Sequence, residues 1–191
     1  RAGSAETKVS LSVTLYDLGS GKIIYNRQYR QEASYYRSAA HQVADDAVLA
    51  LTGKRGIAST RIAFSNNRTG SKEIYLVDYD GENLRRLTSD DSINLLPRFS
   101  PDGKALLYTS YQKGNPDLFT LDLTTGKTTV LSHEQGLNIP GGFTPDGNKL
   151  ALTLSRNRDP NIYVLDLRDR SLKRLTSSTA VESSPSFSPD G

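Results

Sequence analysis

Phe99-Ser100-Pro101-Asp102-Gly103 is the stretch whose reading decides the fold, because it returns twice. It comes back 44 residues later as Phe143-Thr144-Pro145-Asp146-Gly147, and 44 residues after that as Phe187-Ser188-Pro189-Asp190-Gly191. A second marker keeps the same period. Asp78, Asp122 and Asp166 each end an apolar run: Ile74-Tyr75-Leu76-Val77, Leu118-Phe119-Thr120-Leu121 and Ile162-Tyr163-Val164-Leu165. Leu87-Thr88, Leu131-Ser132 and Leu175-Thr176 form a third. Three markers in one register define a structural repeat.

The middle repeat reads as four strands, at 97–100, 105–111, 118–123 and 128–132. Pro101-Asp102-Gly103 turns the chain, with Pro presetting φ and Gly accepting a positive φ. Residues 112–116 and Thr124-Thr125-Gly126-Lys127 supply the other turns. Four antiparallel strands in about 44 residues make one β-propeller blade. HEAT and armadillo repeats have a similar period but need helices, which the Pro-Asp-Gly and Thr-Gly-Lys turns forbid. The chain supplies two full repeats, counted from Pro97 and Gly141, with three strands before them and one expected after. A closed propeller needs at least four blades. The chain is therefore read as a mature or trimmed fragment, and its open blade faces and strand edges predict self-association.

Residues 1–56 read differently from 57–191. The segments 9–17 and 23–30 alternate like the strands of a hairpin. Tyr36, Ala40, Val43, Ala47 and Leu51 then keep helical spacing, with Gly53 at the stop, so a helix is predicted over 34–52. Arg37, His41 and Asp45 fall on one polar stripe of that helix. A hairpin with one helix is too small for a core of its own, so 1–56 reads as the C-terminal part of an α/β domain.

Composition narrows the function. The 191 residues are 36% apolar and 24% charged, with a net charge of +3. The pI is near 9.1, but the basic residues are scattered pairs such as Lys54-Arg55, Arg85-Arg86 and Lys173-Arg174 rather than a stripe. Nucleic-acid binding is not expected. No apolar run is long enough to span a bilayer, so no membrane insertion is expected. The absence of cysteine removes disulfides and thiolate chemistry.

Catalytic and metal constellations are weak. The two histidines, His41 and His133, lack a Gly-x-Ser-x-Gly partner. His41 reads as a hydrogen-bonding residue paired with Asp45 or Arg37, and His133 as a loop residue. Asp78-Tyr79-Asp80-Gly81-Glu82 lacks the spacing of a calcium loop. Asp102, Asp146 and Asp190 sit at matching blade positions, where the carboxylate bonds the turn backbone. No catalytic site, metal or cofactor is expected.

What repeats least is the segment ahead of each Phe: Ile93-Asn94-Leu95-Leu96, Leu137-Asn138-Ile139-Pro140 and Val181-Glu182-Ser183-Ser184. These lead into the innermost strand at one mouth of the propeller, and loops on a rigid scaffold carry function. The partner-binding candidates are Leu137, Asn138, Ile139, Pro140, Glu182, Ser183, Asn94 and Leu95. Packing between blades is an equally good account of their apolar members.

The Phe-Ser-Pro-Asp-Gly-Lys turn followed by a Tyr/Phe-x-x-Asp strand resembles the propeller repeat of the TolB family (the WD40-like PD40 repeat). Leu51-Thr52-Gly53-Lys54-Arg55-Gly56 and Thr60-Arg61-Ile62-Ala63-Phe64 resemble that family's linker between its N-terminal α/β domain and first blade. The helix with Arg37, His41 and Asp45 resembles the last helix of that domain, which makes these three interdomain candidates. The resemblance covers residues 8–191. It implies a mainly β fold: about three four-stranded blades of a six-bladed propeller, preceded by a hairpin and helix. It also implies a non-enzymatic periplasmic scaffold of the Tol-Pal system. Such a scaffold acts in envelope integrity and cell division, binding the lipoprotein Pal and other Tol proteins. Two alternatives stay open: the propeller of a prolyl-oligopeptidase-like hydrolase, and a propeller ligand sensor.

Overall fold

A computed structural model describes residues 8–191, the Asn157 side chain apart. The chain forms two compact units. One holds the described residues up to 62 together with Val77–Asn83, and the other holds Ala63–Leu76 and Leu84–Gly191.

In the first unit, β1 (Lys8–Tyr16) and β2 (Ile23–Glu32) pair as an antiparallel hairpin. Asp17 builds the turn between them: its carboxylate accepts the N–H groups of Gly19 and Ser20 at 2.7 and 3.1 Å. A 3-10 turn, Ala33–Tyr35, leads into α1 (Tyr36–Thr52). Gly53 ends the helix in the left-handed conformation at φ 71°, and its N–H donates to the Leu49 carbonyl at 2.9 Å. Tyr29 of β2 and Ala39 of α1 are buried, so the helix supplies the apolar cover that a bare hairpin lacks.

The remaining strands form three successive antiparallel sheets. The first sheet orders β3 (Arg61–Asn66), β4 (Glu73–Asp78) and β5 (Arg85–Arg86). The second orders β6 (Asn94–Phe99), β7 (Ala105–Ser110), β8 (Asp117–Asp122) and β9 (Thr128–Ser132). The third orders β10 (Asn138–Phe143), β11 (Lys149–Asn157), β12 (Asp159–Asp166) and β13 (Leu172–Arg174). These are the blades of a partial β-propeller.

Strand alternation sends successive side chains to opposite faces of a blade. Leu106 and Tyr108 of β7 join Ile74, Phe119 and Leu121 in one buried cluster. Leu107 and Leu118 turn the other way, into a second cluster with Leu150, Leu152 and Leu154 of β11. The middle blade is therefore apolar on both faces, and each face is covered by a neighbouring blade.

The repeated acids are turn residues. Asp102 accepts the Ser100 hydroxyl at 2.6 Å and the Lys104 N–H at 3.0 Å. Asp146 does the same with Thr144 and Asn148, at 2.5 and 3.0 Å. Asp122 accepts the N–H groups of Thr124 and Thr125, both at 2.8 Å. Gly103 and Gly147 take φ values of 67° and 72°, as the turn requires.

Two strand expectations need correction. The innermost strands begin at Asn94 and Asn138, three residues ahead of Pro97 and Gly141. A bulge between Leu95 and Arg98, with Leu96 at φ 56°, lets the strand continue through the proline. The strand expected after β13 is absent among the described residues. β6 and β10 are paired by β7 and β11, but residues 181–187 have no such partner, and Pro185 offers no N–H.

That unpaired segment still packs closely on β10. A methyl group on Gly141 would meet the Pro185 carbonyl oxygen at 2.5 Å and the Ala151 carbonyl oxygen at 2.7 Å. On Gly142 the nearest atom would be 3.7 Å away. Gly141→Ala should therefore destabilise the chain by about 1–3 kcal/mol in urea unfolding, as overpacking does, while Gly142→Ala stays near wild type.

The turn carboxylates also predict a pH dependence. Hydrogen bonds from Thr144 and Asn148 lower the Asp146 pKa from 3.8 to about 2. A depressed folded pKa contributes stability above pH 4 that is lost as pH falls through about 2. The stability gap between wild type and Asp146→Asn should be full at pH 5 and shrink steadily toward pH 2 in urea titrations.

Candidate functional site

The blade-mouth segments split into an exposed and a buried set. Asn94 and Asn138 are each 0% exposed, and Pro140 is also buried. These three, read from sequence as docking residues, cannot form a contact surface. The Asn94 amide donates to Glu73 at 3.1 Å and to Asp90 at 2.7 Å. Asn138 accepts the Ser132 hydroxyl at 2.6 Å and donates to the Glu134 and Gly136 carbonyls at 2.7 and 3.0 Å. In a propeller interior an amide survives only with such partners, so its burial reflects loop anchoring.

Leu95, Leu137, Ile139 and Glu182 are half-buried, and Ser183 is exposed. The residues just ahead of Asn94 and Glu182 reach solvent most fully. Ile93 is 45% exposed and Val181 is 76% exposed, with Leu137 the equivalent position between them. Ile93 and Val181 are not among the docking residues expected from the sequence. Their signal was available: all three positions are aliphatic at a spacing of 44 residues. Ile93 and Tyr111 also line an open groove with Lys72 and Asp91. Leu96 is exposed too, and its left-handed φ aims it away from the blade interior.

The helix stripe is rearranged relative to expectation. His41 Nε2 pairs with Asp80 Oδ2 at 2.8 Å, rather than with Asp45 or Arg37. Arg37 bonds the same Asp80 oxygen through Nη2. Helical spacing of four residues puts both cations on one side of α1, facing the turn that carries Asp80. Asp80 lies in the β4–β5 turn, and its second oxygen accepts the Glu82 N–H at 3.2 Å. Burial raises the Asp80 pKa, but the Glu82 and His41 hydrogen bonds and the Arg37 charge outweigh it and hold the carboxyl below its usual range. Unlike Asp78, Asp80 does not recur: Thr124 and Arg168 stand at its repeats.

Asp45 does a different job. It is buried, and its two oxygens accept the N–H groups of Ala58 and Ser59 at 2.7 and 2.9 Å. It thereby ties α1 to the linker that leads into β3. Burial pushes the Asp45 carboxyl up, and hydrogen bonds from Ser59 and Ala58 bring it net below the ordinary value. The next residue, Asp46, gathers Tyr29 at 2.8 Å, Tyr25 at 3.2 Å and Arg27 at 2.8 Å. The Tyr29 hydrogen bond is the main reason its pKa is lowered, while burial raises that of Tyr29.

Neither histidine sits in a nucleophile arrangement: His41 is committed to Asp80, and His133 follows β9 in a loop. Among the described residues no three His, Cys, Asp or Glu side chains converge to hold a metal ion. No described helix is long and apolar enough to cross a membrane. What the geometry offers is a set of aliphatic side chains on anchored loops, and a charged clamp on α1. Asp45→Ala should lower stability by about 2 kcal/mol in urea unfolding, because it leaves two backbone donors without their charged acceptor.

The family model described as the TolB beta propeller domain matches residues 48–191. A TolB homolog from Chlorobaculum tepidum is 46% identical over 114 residues, which cover 58% of this chain and 26% of that protein. The Tol-Pal system protein TolB of Geobacter metallireducens is 43% identical over 98 residues, covering 51% of this chain and 23% of its own. The crystal structure of TolB from Acinetobacter baumannii superposes with a TM-score of 0.82 at 33% identity, over 91% of this chain and 44% of that one. The matched stretch is about a quarter of the length of these curated relatives.

Proposed function

The chain belongs to the TolB β-propeller family, and on that premise we propose that it serves as part of a non-enzymatic docking scaffold. The partner is the peptidoglycan-associated lipoprotein Pal, bound in the periplasm at the blade mouth. The system maintains the cell envelope and supports division. Residues 1–56 are then the C-terminal part of an α/β domain and 57–191 the blades, with other Tol proteins as further partners.

The observation that carries this reading is the exposure of Ile93 and Val181 at equivalent blade positions, with Leu137 between them. Scattered exposed aliphatics need no explanation, but two exposed ones at one repeat position, with the half-buried Leu137 at the same position of the blade between, form a repeated feature. Docking surfaces concentrate their energy in such apolar centres, with polar groups at the rim. The relatives named for the Tol-Pal system support the choice of partner.

The binding test uses the full-length protein that contains this chain. Ile93→Asp combined with Val181→Asp should weaken Pal binding at least about tenfold in calorimetry, the loss of one strong apolar contact or two moderate ones. Both positions are exposed, so circular dichroism and the unfolding midpoint should stay at wild-type values. Unchanged affinity in the folded double variant would remove the blade mouth as the docking face.

A further inference from the structure

Among the described residues, the non-glycine positions with a positive φ are Asn83, Asp91, Leu96, Arg158, Arg170 and Ser184. All but one have a local account. Asn and Asp tolerate the left-handed region, because their short polar side chains can bond nearby backbone. Leu96 and Ser184 share one repeat position, and Leu96 sits in the β6 bulge. Arg170 stands where the second blade has Gly126, and its Nη2 donates to the Leu131 carbonyl of β9 at 3.1 Å.

Arg158 has no such account. It too stands at a glycine position. Gly70 and Gly114 occupy the same turn in the two preceding blades, with φ of 101° and 82° against 77° at Arg158. The turn is closed alike in all three: the N–H groups of Gly70, Gly114 and Arg158 donate to the carbonyls of Asn67, Tyr111 and Ser155 at 2.9, 2.8 and 3.1 Å. A methyl group on Gly70 or Gly114 would meet no atom within 4 Å, so glycine stands there for its φ and not for lack of space. The third blade imposes that φ on an arginine. Its side chain is exposed, and among the described residues it has no hydrogen-bond or ion-pair partner. Arg156, on the same hairpin, is by contrast paired with Glu134 at 3.3 Å. Arg158 therefore carries backbone strain that no contact within the chain offsets, a pattern that collects at ligand-contacting positions.

The turn lies beside the docking loop. Gly70 and Ile93 line one open groove, and Arg158 and Val181 are their equivalents two repeats on. The Pro160 carbonyl, just past the turn, accepts the Glu182 N–H at 3.0 Å, which sets the chain after Arg158 against the residue after Val181. We propose, on the reading that the blade mouth is the docking face, that Arg158 is a specificity-determining contact there, taking a carboxylate of the partner that lies next to the apolar group covering Val181. A guanidinium presents a planar fork of N–H donors that matches a carboxylate. An apolar contact alone selects only for apolarity, whereas a cation beside it selects a segment with an acid next to an apolar side chain and disfavours a basic one.

The test measures binding of soluble Pal to the full-length protein that contains this chain, across a salt series, together with urea unfolding. Arg158→Gly removes the charge and the strain, and Arg158→Gln removes the charge alone. Both should weaken Pal binding about tenfold at low salt, the loss of one charged hydrogen bond, and both should flatten its salt dependence. Arg158→Gly should unfold at a higher urea midpoint than Arg158→Gln, because only glycine relieves the φ. Affinity within about twofold of wild type in either variant overturns the contact. So does an Arg158→Gly midpoint below wild type, which would make the arginine structural. The Ile93→Asp, Val181→Asp variant, measured alongside, separates the two readings. If it loses affinity while the Arg158 variants keep theirs, the docking face stands and the arginine contact falls. If all keep wild-type affinity, both fall, and if only the Arg158 variants lose it, the arginine contact stands without the apolar pair.

Discussion

Everything in the propeller part of this chain rests on one constraint: the middle blade is apolar on both of its faces. Leu107 and Tyr108 are neighbours in sequence, yet they enter different buried clusters, one toward the third blade and one toward the first. A fully buried leucine or tyrosine contributes about 1.5–3 kcal/mol relative to exposure. A blade left alone would forfeit that on one face or both, so blades stabilise only in a stack. The 44-residue period follows, because each unit must present the same two faces to its neighbours. Short turns follow as well. Asp102, Asp122 and Asp146 satisfy turn N–H groups locally, which frees the strands to devote their side chains to packing.

Polar groups inside such a stack are stabilised by pairing. The side-chain amides of Asn94 and Asn138 donate to Glu73, Asp90 and the carbonyls of Glu134 and Gly136, and so hold the loops beside them. Rigid anchoring and solvent exposure therefore alternate from one residue to the next: Asn94 is sealed and Ile93 is open. The exposed loop residues owe their order to the buried amides beside them. A variable segment ahead of each blade therefore holds both kinds of residue.

The repeat served as a control on chemistry as well as a guide to the fold. An acid that recurs at each blade has a turn to explain it, and Asp102 and Asp146 behave alike down to their hydroxyl partners. Asp80 also bonds its own turn, at the Glu82 N–H, but it does more. It stands where the other blades carry Thr124 and Arg168, and it receives both Arg37 and His41 from α1. Asp45 is likewise specific to the helix and holds the linker backbone at Ala58 and Ser59. These non-repeating carboxylates tie down the helix.

The blade architecture, the helix with its glycine stop and the turn role of the repeated aspartates were all legible in the amino-acid sequence. Each depends on local rules: a period of two along a strand, 3.6 along a helix, and the φ preferences of Gly and Pro. The partners of His41 and Asp45 were not legible, since Asp80 lies 39 residues from His41 and nothing local selects it. The burial of Asn94, Asn138 and Pro140 was hidden for the same reason. A polar residue before a strand reads as exposed until the next blade covers it. The sequence by itself determined which elements form and how often they repeat, because those choices are made within a few residues. Tertiary structure decided which side chains are buried anchors and which are left exposed, because burial is set by neighbours that the repeat brings together from a blade away.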